Sequence, residues 1–254
     1  MQKTQTAGAH RVLEAFSAGV FLVDKPPGPS SFAVVQRLRK ILGMKKVGHA
    51  GTLDPFASGL LIVCAGRPAT RIISQIMPGE KEYAATLRLG IETDTFDPEG
   101  RVTSRNPVDR LTAEDINRCL ERFRGENMQV CPAYSALKHN GKPLYYYARK
   151  GIDVPRKVRP VTIRTLECTA FDENSLEIRV SCSKGTYIRT LASDIGKKLG
   201  CGAHLSALRR LRSGFFHVDD AVASDLLFGQ DLDPAPLLER VHTVEAVLNM
   251  LDIG

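Results

Sequence analysis

The chain lacks any apolar stretch approaching the roughly 20 residues that a membrane-spanning helix needs, which argues against a membrane-embedded role. It also lacks a continuous apolar segment followed by a small-residue cleavage site in its first nineteen residues, so a secretory signal is not supported and 1–19 reads as a flexible leader. The six cysteines, at 64, 119, 131, 168, 182 and 201, form no CxxC pair, and there is no HExxH. Neither a zinc site nor a disulfide framework is indicated, and reduced thiols in a cytoplasm fit best. Cys64 and Cys182 lie in apolar strand patterns and read as core fillers. Internal repeats, low-complexity tracts and linkers are absent too, so the 254 residues form one large domain or two modest ones.

Acidic charge is scarce where basic charge is dense. The net charge is +7. Residues 138–159 carry Lys138, Lys142, Arg149, Lys150, Arg156, Lys157 and Arg159 against Asp153 alone, and residues 179–212 carry eight Lys or Arg against Asp194 alone. Such blocks are either solvated faces or a polyanion surface, since Lys and Arg that neutralise phosphates release counterions and steer association. Residues 213–254 reverse the balance, with eight acids and one base, Arg240, and are not expected to touch phosphate.

Periodicity supplies the elements. Val20–Asp24 reads as a strand, broken by Lys25-Pro26-Pro27-Gly28-Pro29 before Ser30 or Ser31 caps a helix ending near Leu42, with Gly43 as its stop. A buried strand is expected over 60–65, and an alternating one over 82–89 that turns Tyr83 the same way as Ala85, Leu87 and Leu89. Asp97-Pro98-Glu99-Gly100 reads as a turn and Thr112 as a helix cap. A short helix at 144–150, a hairpin over 160–171 and 175–182, a helix over 188–199 and a basic strand over 205–216 follow. Strands outnumber helices and several are joined by hairpins, so the expected class is α+β: a mixed, mostly antiparallel central sheet flanked by helices. A core domain over 20–218 and an acidic, helical tail over 219–254 complete the expected organisation.

The segment with the most chemistry is GHAGTLDPFASGLL, residues 48–61. It brackets one carboxylate, Asp54, between glycines that let the backbone approach a ligand, and Pro55 holds Asp54 extended. Taken alone, an Asp-Pro in a glycine loop ordinarily ties its own turn. Its companions are the lysine–proline turn at 25–26, a strand-face tyrosine in EKEY (80–83), and KGTYIR (184–189) opening a helix.

Together with DKPPGPSSF (24–32), DTFDPEG (94–100), PAYSALKHNGKPLYYYARKG (132–151) and SCSKGTYIRTLASDIGKKLGCGAHLSALRR (181–210), these segments resemble the pseudouridine synthases, most closely the TruB family. The resemblance spans about residues 20–212. It implies isomerisation of one uridine in the T-loop of transfer RNA, position 55 in the usual tRNA numbering, with no metal or organic cofactor, no membrane and no protein partner. It gives Asp54 the role of catalytic carboxylate, Arg189 that of its pairing cation, and Tyr83 that of the residue lying against the base and helping to remove the C5 proton. Tyr187 and Leu208 match the uridine pocket, His49 an RNA contact beside the target nucleotide, and Lys25 a support of the loop architecture. Residue by residue the ordinary alternatives are a phosphate contact for Arg189, core packing for Tyr83 and Leu208, and a satisfied loop histidine for His49. The basic blocks at 138–159 and 197–212 are expected to flank the cleft. The resemblance departs after residue 212, where the family commonly appends an RNA-binding PUA domain and this chain has the acidic tail. A noncatalytic RNA-binding or chaperone protein on the same fold, and a guide-RNA-dependent synthase, are the alternatives.

Overall fold

In the computed structural model residues 16–229 and 234–252 are described, and they fall into two compact units. The first comprises residues up to Lys81 together with those from Arg209 onward, and the second comprises Glu82–Leu208. Of the leader, 1–15 lies outside the described residues, while the ring of Phe16 packs on Phe21 with centroids 5.7 Å apart.

The first unit starts with β1 (Gly19–Lys25), α1 (Ser31–Leu42), β2 (Val47–Ala50) and β3 (Ser58–Ala65). β1 and β3 are antiparallel from Gly19↔Ala65 to Lys25↔Gly59. Both are buried on both faces, which is why GVFLV and GLLIVCA are nearly continuous apolar runs. The α1 N-terminus is capped by Ser30, whose side chain accepts from Ala33 N at 3.1 Å, and Gly43 ends it with φ of 61°. β2 pairs antiparallel with β3 from Val47↔Ala65 to Ala50↔Ile62. Gly48 and Gly51 leave no side-chain alternation here, so from sequence alone this stretch reads as loop. Two short helices, α2 (Arg67–Arg71) and α3 (Ile73–Ile76), close this half. Val20, Leu22, Leu60, Ile62, Ile72 and Ile76 share one apolar cluster with Phe216 and Val247.

The second unit contains β4 (Lys81–Leu89, entered at Glu82), β5 (Ile91–Thr93), β6 (Val102–Arg105), α4 (Ala113–Glu121), β7 (Gly125–Val130), and the two-residue strands β8 (Lys138–His139) and β9 (Lys142–Pro143). Then come α5 (Leu144–Ala148), β10 (Val158–Phe171), β11 (Ser175–Cys182), α6 (Ile188–Leu199) and β12 (Ala203–Ser213). The strand order here is β12–β4–β11–β10–β7, with β10 antiparallel to both β11 and β7. β4 buries alternate residues from Lys81 to Leu89 as the period-two pattern requires. The β10–β11 turn is tied by Asp172, whose Oδ1 accepts from the backbone N–H groups of Asn174 and Ser175.

The last five residues of β12 belong to the first unit. There Arg209↔Ser58 and Arg210↔Gly59 pair in parallel with β3, and β13 (Phe216–His217) pairs antiparallel with β12. The sheet is therefore mixed and mostly antiparallel, as expected. The acidic segment beyond it comprises a 3₁₀ turn (Val218–Asp220), α7 (Asp225–Phe228), α8 (Ala235–Glu239) and α9 (Val244–Asp252); the turn and α9 pack on β1, and α7 on α1, where Arg37 Nε donates to Leu227 O. His242 exchanges backbone hydrogen bonds with Val20 at 2.9 Å, and Val222, Leu227, Leu237 and Val247 are buried.

At the parallel pairing Gly59 has φ of 99°, and a Cβ there would lie 2.3 Å from Arg210 O and 2.6 Å from Arg210 N. Gly43 also has a positive φ, 61°, but has open space around it. Gly43→Ala should cost about 1–2 kcal/mol, the ordinary left-handed cost, and Gly59→Ala roughly twice that or more, because backbone must also separate. Chemical denaturation of both variants measures this, and equal losses would contradict the packing described.

Candidate active site

The Asp54 loop is built in the first unit from backbone groups held by buried side chains. Ser31, buried at the start of α1, accepts from Leu53 N and donates to Leu53 O, both at 2.8 Å. Lys25 is 0% exposed, and its Nζ donates to the carbonyls of Pro26 and Pro29, each at 2.8 Å, and of Pro55 at 3.1 Å. An ammonium has three N–H donors, and three carbonyls take the place of its water. Pro55 O also accepts from Gly28 N at 2.8 Å, so the KPPGP turn and the Asp54 loop are tied twice. Asp54 therefore sits between two residues whose backbone is pinned, half-buried, with its own carbonyl accepting from Ala57 N at 3.2 Å. Pro26, Pro29 and Pro55 bring carbonyls without adding N–H groups that would need partners of their own.

His49 lies on β2 and is half-buried, with Nδ1 enclosed and without a partner among the described residues. Burial, and then the charge of Arg210, lower its pKa. Arg210 itself, 2% exposed, donates to Leu60 O at 2.7 Å, Gly51 O at 3.1 Å and Thr52 O at 3.4 Å.

The second unit holds Tyr83, Tyr187, Arg189 and Leu208. Arg189, in the first turn of α6, is buried with its Nη1 donating to Asp97 Oδ2 at 3.0 Å and Thr95 O at 3.1 Å, and its Nη2 to Tyr134 O at 2.9 Å. Both side chains of this ion pair are at most 6% exposed. Asp97 also accepts through Oδ1 from Thr95 Oγ1 at 2.5 Å and Glu99 N at 3.1 Å. Sequence reasoning took Asp97 for a simple turn residue and missed it as the carboxylate that orients Arg189. The available signal was its place in DTFDPEG, where Thr95 offers a hydroxyl two residues before the turn carboxylate.

Tyr187 precedes α6 as its N-cap, and its backbone is gripped from both sides by buried Gln129. The Gln129 amide donates to Tyr187 O at 3.0 Å, and Gln129 Oε1 accepts from Tyr187 N at 2.8 Å. The guanidinium of Arg159 lies 4.6 Å from the centroid of the Tyr187 ring. Tyr83 is 9% exposed on β4 and Leu208 is 8% exposed on β12.

The basic blocks divide by use. Arg189 and Arg210 are internal, Arg209 pairs with Asp24 in two contacts at 2.9 and 2.7 Å, and Arg212 approaches Glu80 at 3.8 Å. These cations shape the protein, which reduces what the 179–212 block offers to phosphate. In the other block, cations lie against tyrosine rings, Tyr145 exposed and Tyr146 half-buried. Lys142 and Lys150 sit 4.4 and 4.6 Å from the ring of Tyr146, and Arg149 lies 5.4 Å from that of Tyr145. Among the described residues no three His, Cys, Asp or Glu side chains converge as a metal site. Burial pushes the Cys64 thiol up to about 12, which fits a core filler.

The lowered pKa of His49 has a measurable consequence. As pH falls through the unfolded value of about 6.5, the unfolded chain takes up this proton before the folded one. The stability it confers is complete above that pH and is lost below it, toward the lower folded value. His49→Gln should reduce the slope of unfolding free energy against pH below pH 6.5 by up to about 1.4 kcal/mol per pH unit. An unchanged slope in paired denaturation series would contradict it.

Comparison with known proteins gives these two sets of residues a common context. The family model described as TruB family pseudouridylate synthase (N terminal domain) matches residues 39–188, and the one described as tRNA pseudouridylate synthase B C-terminal domain matches 189–249. The second match takes in most of the acidic segment. The tRNA pseudouridine synthase B of Desulfotalea psychrophila is 59% identical over 241 residues, covering 93% of this chain and 98% of that one. That of Chromobacterium violaceum is 55% identical over 203 residues, covering 80% of this chain and 66% of the other. Among solved structures, a Cbf5–Nop10–Gar1 complex aligns with a TM-score of 0.70 at 31% identity over 91% of this chain and 62% of that one. An H/ACA RNP bound to a substrate RNA containing 2′-deoxyuridine aligns at 0.67 and 28%, over 91% and 61%. With such identity running almost end to end through the segments that hold Asp54 and Arg189, the chain belongs to the TruB family of pseudouridine synthases, and it is an isomerase.

Proposed function

We propose that the chain converts uridine 55 in the T-loop of tRNA to pseudouridine, acting in the cytoplasm on a base turned out of its stack. The observation that carries this reading is the pinned loop that presents a single carboxylate, Asp54, in a chain 59% identical to a tRNA pseudouridine synthase B.

The reaction breaks the N1–C1′ bond, turns the uracil, joins C5 to C1′ and releases the C5 proton while N1 gains one. Atoms and electrons balance without a redox partner. Asp54 supplies the nucleophilic oxygen or assists formation of a glycal. Arg189 pairs with Asp54 during the reaction and keeps it ionised, and its anchorage by Asp97, Thr95 and Tyr134 supports that role by limiting its rotation. Tyr83 lies against the base and helps to remove the C5 proton, while Tyr187 and Leu208 line the uridine pocket. His49, kept neutral, contacts the RNA beside the target nucleotide, and Lys25 supports the loop. Extruding the base costs a few kcal/mol. Phosphate and base contacts offset that cost, and the cation-bearing tyrosines at 145–146 suit them.

The test uses an unmodified T-stem-loop transcript, with no guide RNA or accessory protein. Wild type should form pseudouridine at position 55, and Asp54→Asn should bind the RNA equally but lose on the order of 10⁴-fold or more in rate. Equal binding without turnover by wild type would favour the noncatalytic reading, and turnover only with an added guide RNA the guide-dependent one.

A further inference from the structure

Three buried or half-buried arginines near the candidate residues use their charge in different ways. Arg189 meets the carboxylate of Asp97. Arg209, partly exposed, meets Asp24. Arg210 is 2% exposed, and among the described residues its guanidinium meets backbone carbonyls only.

Burying a guanidinium without a counter-carboxylate is an expensive arrangement, and a leucine or methionine would fill the same space without the desolvation cost. What an apolar side chain would not provide is the grip. The planar fork presents donors in fixed directions. Nε takes the carbonyl of Leu60 on β3, and Nη2 and Nη1 take those of Gly51 and Thr52 at the other end of the loop. One rigid group thus spans the loop from residue 52 to residue 60 and fixes the separation of its two ends. Arg210 is itself fixed by the parallel pairing with Gly59, whose lack of a side chain allows the two backbones to meet. Ser31 and Lys25 hold the residues on either side of Asp54, and Arg210 holds the frame outside them.

We propose that Arg210 is a positioning residue for the reaction, setting the loop that carries Asp54 through its three-carbonyl clamp and contributing nothing to RNA affinity. This rests on the reading of Asp54 as the reacting carboxylate. A reacting oxygen misplaced by about 1 Å loses on the order of 10²-fold in rate, whereas contacts to the RNA backbone are made elsewhere and should persist.

The test is single-turnover pseudouridine formation on a T-arm transcript by the full chain, alongside its RNA dissociation constant and binding stoichiometry. Arg210→Met removes every donor, and Arg210→Lys keeps the charge but not the fork. Both should bind one RNA per chain with affinity within about threefold of wild type and react on the order of 10²-fold more slowly. A wild-type rate in either variant overturns the proposal. So does a rate loss matched by lost affinity or stoichiometry, including failure of both variants to fold, which would make Arg210 a binding or folding residue. Asp54→Asn is measured in parallel. If it retains the wild-type rate, the assignment of Asp54 fails. If it is inactive while the Arg210 variants are not, only the present inference fails.

Discussion

The first unit is organised around buried cations donating to backbone carbonyls. Lys25 and Arg210 are both almost wholly withdrawn from water, and each replaces its hydration with three main-chain oxygens, one set at the heart of the Asp54 loop and the other around its rim. A loop rich in glycine has a large conformational entropy to lose on ordering. Charge-assisted hydrogen bonds are roughly twice as strong as neutral ones, and in the low dielectric of the interior they are not exchanged for water. Flexible sequence is thereby converted into rigid structure.

The second unit reaches similar rigidity by a different route. Its key cation, Arg189, is oriented by a buried carboxylate and two carbonyls, and the residue two positions earlier, Tyr187, is held through its backbone by Gln129. α6 begins without a side-chain cap of its own, so Gln129 satisfies one of the N–H groups that a helix start leaves open. In both units, then, side chains credited with chemistry or base contact are placed by neighbours whose work is to satisfy buried polar groups.

These features were unequally legible in the sequence. The cap at Ser30, the stop at Gly43 and the alternation of β4 could be read because each depends on local chemistry. Strand β2 was hidden because two of the residues in its neighbourhood are glycines, so His49 was placed in a loop. The arginines were the larger difficulty. Arg189, Arg209 and Arg210 all counted toward a basic surface, yet each is committed within its own unit, and only the fold distinguishes a solvated guanidinium from a clamped one. Asp97 was unreadable for the same reason. Its role depends on a partner 92 residues away, and an Asp before proline has a sufficient local explanation. The acidic segment carried a charge pattern but no sign that His242 and Val222 would bridge to β1.

The central claim is that the Asp54 loop is ordered before RNA arrives. Amide hydrogen exchange in the free protein tests it directly at three N–H groups: Leu53, bonded to Ser31; Ala57, bonded to Asp54 O; and Gly28, bonded to Pro55 O. The account predicts protection at all three close to that of the neighbouring β3 amides. Exchange at the rate of an unstructured glycine-rich loop, with protection appearing only when RNA is bound, would contradict it.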